Sequence, residues 1–356
     1  AGSGAPVDAT EEAPTLPATQ LLAVLPGADV DIELTIGALV RSGVAWEEVA
    51  LAGRLEDGDL TIRRASVKRA AGARFDLSGA IANVAAAPVV DLTLTGDADS
   101  LAPLLRALEV KTDIKPQAIG GVGLTASLRG DEAALSITVE TTSAVGNIAL
   151  FGTIERPMGK PAIALGLRLR ADDAGRFVQA MGFDAPAAVQ RLGALAVDGG
   201  LDGDLGNLQV NLGVEAADAL LQLAGTVTSA DTAAPIYDLN IDLGAEDASA
   251  LLRAVAGDNA HTAAGGALKV RTRIEGDARQ ARVSGFDATL GSNSLRGSGD
   301  VVLDDPLPVI KAKFEADEFD LAALIGGAAA ASPEDTRGGN EAASGASGRQ
   351  TVVRGG

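Results

Sequence analysis

Residues Gly203–Leu252 read GDLGNLQVNLGVEAADALLQLAGTVTSADTAAPIYDLNIDLGAEDASALL. A Gly-Asp turn opens the stretch, and Leu208, Val210, Leu212 and Val214 then alternate with polar residues or glycine. A second run, Leu221, Leu223 and Val227, passes through Gly225; a loop ends at Pro235; Leu239, Ile241 and Leu243 make a third. Alternation with period two is the signature of a strand with one apolar face. Glu246-Asp247 then lead into a short apolar helix, whose start acidic residues cap and whose dipole they suit.

The pattern occurs four times. Gly-Asp turns fall at Gly58-Asp59, Gly130-Asp131, Gly203-Asp204 and Gly276-Asp277, with steps of 72, 73 and 73 residues. Strand glycines follow at Gly79, Gly152, Gly225 and Gly299, and prolines opening the last strand at Pro88, Pro161, Pro235 and Pro308. Three landmarks keeping one period define a repeat array, in which each unit contacts mainly its neighbours.

Outward from that stretch the chain divides as follows. Residues 1–15 are a Gly/Ala/Pro-rich linker without period, read as disordered, and 16–27 hold a short helix that ends a preceding repeat. Repeat 1 spans 28–110, repeat 2 spans 111–182, repeat 3 spans 183–256 and repeat 4 spans 257–326; residues 327–356 form a disordered tail. Helices are expected at LAPLLRAL after Asp97, Asp99 and Ser100, at Asp173–Met181, at Asp247–Val255 and at Phe319–Ile325. In repeat 4, Ser284-Gly285 and Ser292-Asn293-Ser294 weaken the middle strands. The predicted fold is mainly β with short helices: four repeats forming an elongated, curled antiparallel sheet. Some sixteen strands at ~4.8 Å spacing would span roughly 75 Å. The helices either cover the apolar face, giving a packed solid, or rim it, leaving a continuous apolar channel of the kind that marks binding sites.

Composition narrows the function classes. The formal charge of -19 argues against nucleic acid and anionic headgroups as electrostatic partners. Aromatics at 3 percent offer no stacking platform. Without cysteine there is no thiol catalysis, thiolate metal site or disulfide. No run of ~18 apolar residues could span a bilayer as a helix. The chain opens at Ala1 without Met or signal peptide, so a targeting or anchoring segment is expected upstream.

Leu55-Glu-Asp-Gly-Asp-Leu-Thr-Ile62, then Gly72-Ala-Arg-Phe-Asp-Leu-Ser-Gly79, then an Asp-led short helix after the next strand, resemble the repeating segments of the AsmA family of bacterial envelope proteins. The resemblance covers roughly residues 28 to 326. It implies a long β-groove in the periplasm of a Gram-negative bacterium, tethered to the inner membrane by an N-terminal segment absent from this chain. The implied role is passing phospholipid between inner and outer membrane in support of outer-membrane homeostasis. No catalytic residue and no cofactor is implied.

Isolated chemical candidates reduce to structural roles. His261 is the only histidine and has no second ligand nearby. Asp198-Gly-Gly-Leu-Asp202-Gly-Asp204 is similar to calcium-binding Gly/Asp repeats but occurs once and coincides with the repeated turn. Asp172-Asp173, Glu246-Asp247 and Asp317-Glu318 recur at helix starts, as caps do. Tyr237 is expected to pack on a sheet face and Trp46 to sit at a rim. Arg63, Arg64 and Lys68, with Arg69, form the one basic cluster, able to meet a phosphate headgroup or an acidic partner, or simply a solvated face.

The apolar alternates are the main candidates, each lining a groove or serving as ordinary core: Leu92, Leu94, Leu135, Ile137, Ile163, Leu165, Leu167, Leu208, Val210, Leu239, Ile241, Leu243 and Ile310. Acyl chains lying on such a floor make phospholipid the expected partner. The alternative is a non-enzymatic scaffold that assists outer-membrane protein assembly by binding a partner strand.

Overall fold

The computed structural model describes residues 29–41, 44–107, 110, 112–230, 232, 234–257, 266–302 and 309–316. The linker 1–15, the helix within 16–27, His261, Asp317-Glu318, the helix Phe319–Ile325 and the tail 327–356 lie outside the described residues.

Seventeen strands form one antiparallel sheet. In chain order they are β1 (Val30–Arg41), β2 (Val44–Glu56), β3 (Asp59–Ala70), β4 (Ala73–Ala82), β5 (Val89–Ala98), β6 (Val122–Gly130), β7 (Ala134–Ser143), β8 (Asn147–Glu155) and β9 (Ala162–Ala171). Then come β10 (Leu195–Asp204), β11 (Asn207–Ala216), β12 (Ala219–Thr228), β13 (Ile236–Ala245), β14 (Leu268–Gly276), β15 (Gln280–Leu290), β16 (Asn293–Val302) and β17 (Val309–Glu315). Each strand from β2 to β16 pairs with the strand before it and the strand after it, so the sheet is a meander. Among the described residues no ladder joins β1 to β17, and the sheet stays open. The four-strand unit predicts some sixteen strands; one more forms because β1 precedes the first set of four.

The two rims differ in chemistry. At one lie the tight Gly-Asp turns: Asp57 and Gly58 both have positive φ, +50° and +85°, as a two-residue hairpin loop requires. In the next three units the aspartate clamps the turn itself. Asp131 Oδ1 accepts from the Ala133 and Ala134 amides, Asp204 Oδ1 from Gly206 and Asn207, and Asp277 Oδ1 from Arg279 and Gln280. In the first unit the Gly-Asp pair sits later in the hairpin: Asp57 and Gly58 form the loop, Asp59 opens β3, and Asp59 accepts from the Asn83 amide at 2.9 Å.

At the other rim, among the described residues, lie five helices: α1 (Leu101–Ala107), α2 (Pro116–Ile119), α3 (Ala174–Ala180), α4 (Ala187–Gln190) and α5 (Ser249–Ala256). Each touches the next, so they run as a chain along the strand ends. Asp173 caps α3, accepting from the Arg176 amide at 2.8 Å, and Asp247 accepts from the Ser249 amide at 2.8 Å. Asp97, expected at the start of α1, lies in β5 and pairs with Arg74.

Ser284-Gly285 does not weaken the sheet as expected. β15 and β16 form at 11 and 10 residues, and Ser284-Gly285 is a bulge where register shifts between Val283 and Phe286. The bulge brings Phe286 and Phe314 into edge-on contact, ring centres 5.7 Å apart, over Gly297.

Candidate functional site

Side chains alternate between the faces of each strand, so register decides which residues share a face. One row crosses the sheet through Ile32, Gly53, Ile62, Gly79, Leu92, Leu128, Ile137, Gly152 and Leu165. It continues through Leu201, Val210, Gly225, Leu239, Ile274, Val283, Gly299 and Ala312. Every one of the seventeen strands contributes, and no member is polar. At ~4.8 Å per strand the row is about 75 Å long.

The row does not stand alone. Toward the helices, Leu77, Leu94, Ala126, Val139, Leu150 and Leu167 form its neighbour, which reaches Leu223 and Ile241 through Gly199 and Leu212. Toward the turns, Leu135, Ile154 and Ile163 lead through Gly203 to Leu208, Val227 and Tyr237, and the same line ends at Ile310 on β17. The thirteen apolar candidates therefore share one face. Leu92, Ile137, Leu165, Val210 and Leu239 fall in the first row; Leu94, Leu167 and Ile241 in the second; Leu135, Ile163, Leu208 and Ile310 in the third; Leu243 lies one row nearer the helices. Tyr237 packs in the third row between Val227 and Gly276, and Trp46 lies in β2 opposite Leu39 and Ala70.

The helices rim this face rather than seal it. Their packing cluster, built on Ile119, Val145, Leu169, Ala171, Phe177 and Ala180, also draws in Val122, Ile148, Leu195 and Val197, all near one end of the strands. The three middle rows stay half-exposed along most of their length, and Ile310 on the edge strand is 67% exposed. Among the described residues the buried hydrophobic positions other than Ile119, Val145, Leu169 and Phe177 are all alanine, and no large side chain is below 2% exposure.

The opposite face is charged and self-neutralising. Cross-strand pairs Arg74–Asp97, Arg129–Asp91, Arg168–Asp198, Arg271–Asp242, Arg282–Asp300 and Arg296–Asp287 run along it. Arg170 and Arg273 hold the Asp198 and Asp238 carboxyls below the ordinary carboxylate value by hydrogen bonding. Asp198 is thus taken by arginines and Asp204 by its turn.

Arg63, Arg64 and Lys68 lie on this charged face, not in the groove. Arg63 holds Asp31 at 2.8 and 3.2 Å, Arg64 donates to Ser66 and lies 3.9 Å from Asp76, and Lys68 donates to Glu48. The pairing lowers the pKa of Asp31 and of Glu48, in each case through the hydrogen bond from the cation.

Sequence reading did not name β6 and β10, and with them Leu128 and Leu201 of the first row. Glycines at 199, 200 and 203 thin the apolar pattern of β10, although Val197, Gly199 and Leu201 still keep the period of two.

No family model, no curated protein and no solved structure matches this chain. Among the described residues no helix is long and apolar enough to cross a membrane.

Proposed function

We propose that the chain is a non-enzymatic lipid-binding groove, holding phospholipid acyl chains along the apolar face and letting them slide between units. The observation that carries this reading is the unbroken apolar row through all seventeen strands, half-exposed and rimmed on one side by helices. A fully buried methylene gains ~0.8 kcal/mol, so even one-sided contact along an acyl chain outweighs thermal energy many times. A floor whose every step is apolar presents no polar trap along its length. The charge pattern agrees: acids and bases are paired on the far face, leaving the floor to hydrocarbon. The resemblance to the AsmA family supports the same reading and the further proposal of a periplasmic site of action between inner and outer membrane.

The test is native mass spectrometry with lipid extraction, comparing the parent with Leu165→Asp plus Ile241→Asp. Phospholipid bound to the parent and lost from a double variant that keeps its circular dichroism is the expected result. A parent that never carries lipid overturns the reading.

One observation favours a second reading, a scaffold for partner strands. Among the described residues β1 and β17 each have one neighbour, and every residue of β17 is exposed, Phe314 at 55%. Such edges accept an added strand. Co-purification of an outer-membrane protein with the lipid-free double variant would support it.

A further inference from the structure

Between the rim helices and the sheet, at the junction of the first and second units, lies a cavity of about 340 Å³. Its floor is Phe75, Gly96, Leu124 and Ile148; its far wall is Ile119, Val145, Phe177 and Met181; its roof is Leu101, Leu104 and Ile114. The polar side chains in its lining are engaged elsewhere: Ser143 Oγ donates to the Gly146 carbonyl at 2.8 Å, Thr141 Oγ1 donates to the Ile148 carbonyl at 3.5 Å, and the Asp97 carboxylate is held by Arg74. A ligand there finds no free side-chain donor waiting in a lining that is otherwise apolar, which suits hydrocarbon.

The roof is pinned rather than loose. The Leu101 amide donates to the Gly120 carbonyl at 3.2 Å, tying the start of α1 to the end of α2, and the Lys115 amide donates to the Ala180 carbonyl at 2.8 Å, tying α2 to α3. At the next junction a charged side chain bridges the helices. Arg191 reaches from α4 to the Ala254 carbonyl in α5 at 3.4 Å and packs against Gly257.

Its floor is continuous with the groove. Phe75, Gly96, Leu124, Thr141 and Ile148 form the row beside Leu77, Leu94, Ala126, Val139 and Leu150. Gly96 is covered by the Phe75 ring, whose nearest carbon stands 2.6 Å from where a Cβ on Gly96 would be, so the ring itself paves the floor where the cavity meets the groove. We infer that this cavity seats the methyl end of one alkyl chain whose remainder lies on the open floor, making it a holding point in an otherwise uniform groove. The inference rests on the groove reading and adds a fixed position to it.

The experiment uses the full chain and two probes: a long-chain fatty acid bearing a photoreactive diazirine at its methyl end, and the same acid bearing it beside the carboxyl. Crosslinks are mapped by peptide mass spectrometry in the parent, in Leu104→Trp, which fills the cavity from the roof, and in Leu124→Phe, which narrows it from the floor. In the parent the methyl-end probe should label Leu101–Ala107, Ile119 and Phe177–Met181, and the carboxyl-end probe should not. Either filled variant should cut that labelling about tenfold or more, as expected when a couple of methylenes lose their seat, while floor labelling persists. Methyl-end labels spread evenly over the floor in the parent overturn the cavity assignment and leave the groove standing. No labelling of the apolar face by either probe overturns both.

Discussion

Gly152 has no room for a side chain. A Cβ there would stand 2.0 Å from the Ala164 carbonyl oxygen of the neighbouring strand, and its φ of +147° disfavours any other residue. Gly79 and Gly225 have the same neighbour geometry, with the Asp91 and Asp238 carbonyls at 2.0 Å, which accounts for the repeated glycine in the first three units; at Gly299 the Lys311 carbonyl would stand 3.0 Å away. Gly152→Ala should therefore destabilise the chain by about 1–3 kcal/mol in urea titration, as forced overpacking does. Gly244→Ala, where nothing lies within 4 Å of the added carbon, should be near neutral. The period of these glycines was legible in the sequence, but their cause was not, because the colliding carbonyl belongs to a strand about a dozen residues away. The partners of Arg63 and Lys68 were hidden for the same reason: Asp31 and Glu48 are reached only through strand pairing.

Titration adds a residue-scale prediction with a definite sign. The amides of Arg279 and Gln280 bond the Asp277 carboxylate and hold its pKa below the ordinary 3.8. A carboxyl with a depressed folded pKa stabilises the fold above its unfolded value and loses that contribution as pH falls through the folded one. The stability gap between the parent and Asp277→Ala should thus be constant above about pH 5 and shrink progressively below about pH 4. Comparing the two chains at each pH cancels the shared effect of net charge.

At the scale of elements, the strands with regular alternation were read directly, since Leu239, Ile241 and Leu243 or Ile163, Leu165 and Leu167 leave little choice of face. β6 and β10 were passed over because their first halves look like the Gly/Ala-rich connectors beside them. The short helices α2 and α4 were passed over for want of length: four residues carry no 3.6-residue period. Where a helix carried a capping aspartate it was found, and Asp173 is the clearest case. Asp173→Ala should cost about 1 kcal/mol in thermal unfolding, the usual value of a lost N-cap. If that loss frays α3, it should also loosen Phe177 and Ala180, and with them the rim that closes the groove on one side.

The molecule as a whole is organised by register. Each hairpin hands the apolar face to the next without a slip that would turn it over, and even the bulges in β3 and β15 restore the face within a residue or two. Repetition of one unit then turns a local pattern into a floor about 75 Å long, a length no single domain core would need. That the helices rim the floor could not be read from sequence. Their apolar residues suit either position, and only the short reach from the strand ends decides it.

The central claim is that one face of each strand meets lipid and the other meets water. The chain has no cysteine, so Leu239→Cys and Asn240→Cys can each carry a single polarity-sensitive fluorophore, one on the floor and one on the charged face. On addition of phospholipid vesicles the label at 239 should shift to the blue and lose its quenching by iodide, while the label at 240 should not change. Equal responses at the two positions, or none at 239, would contradict the account.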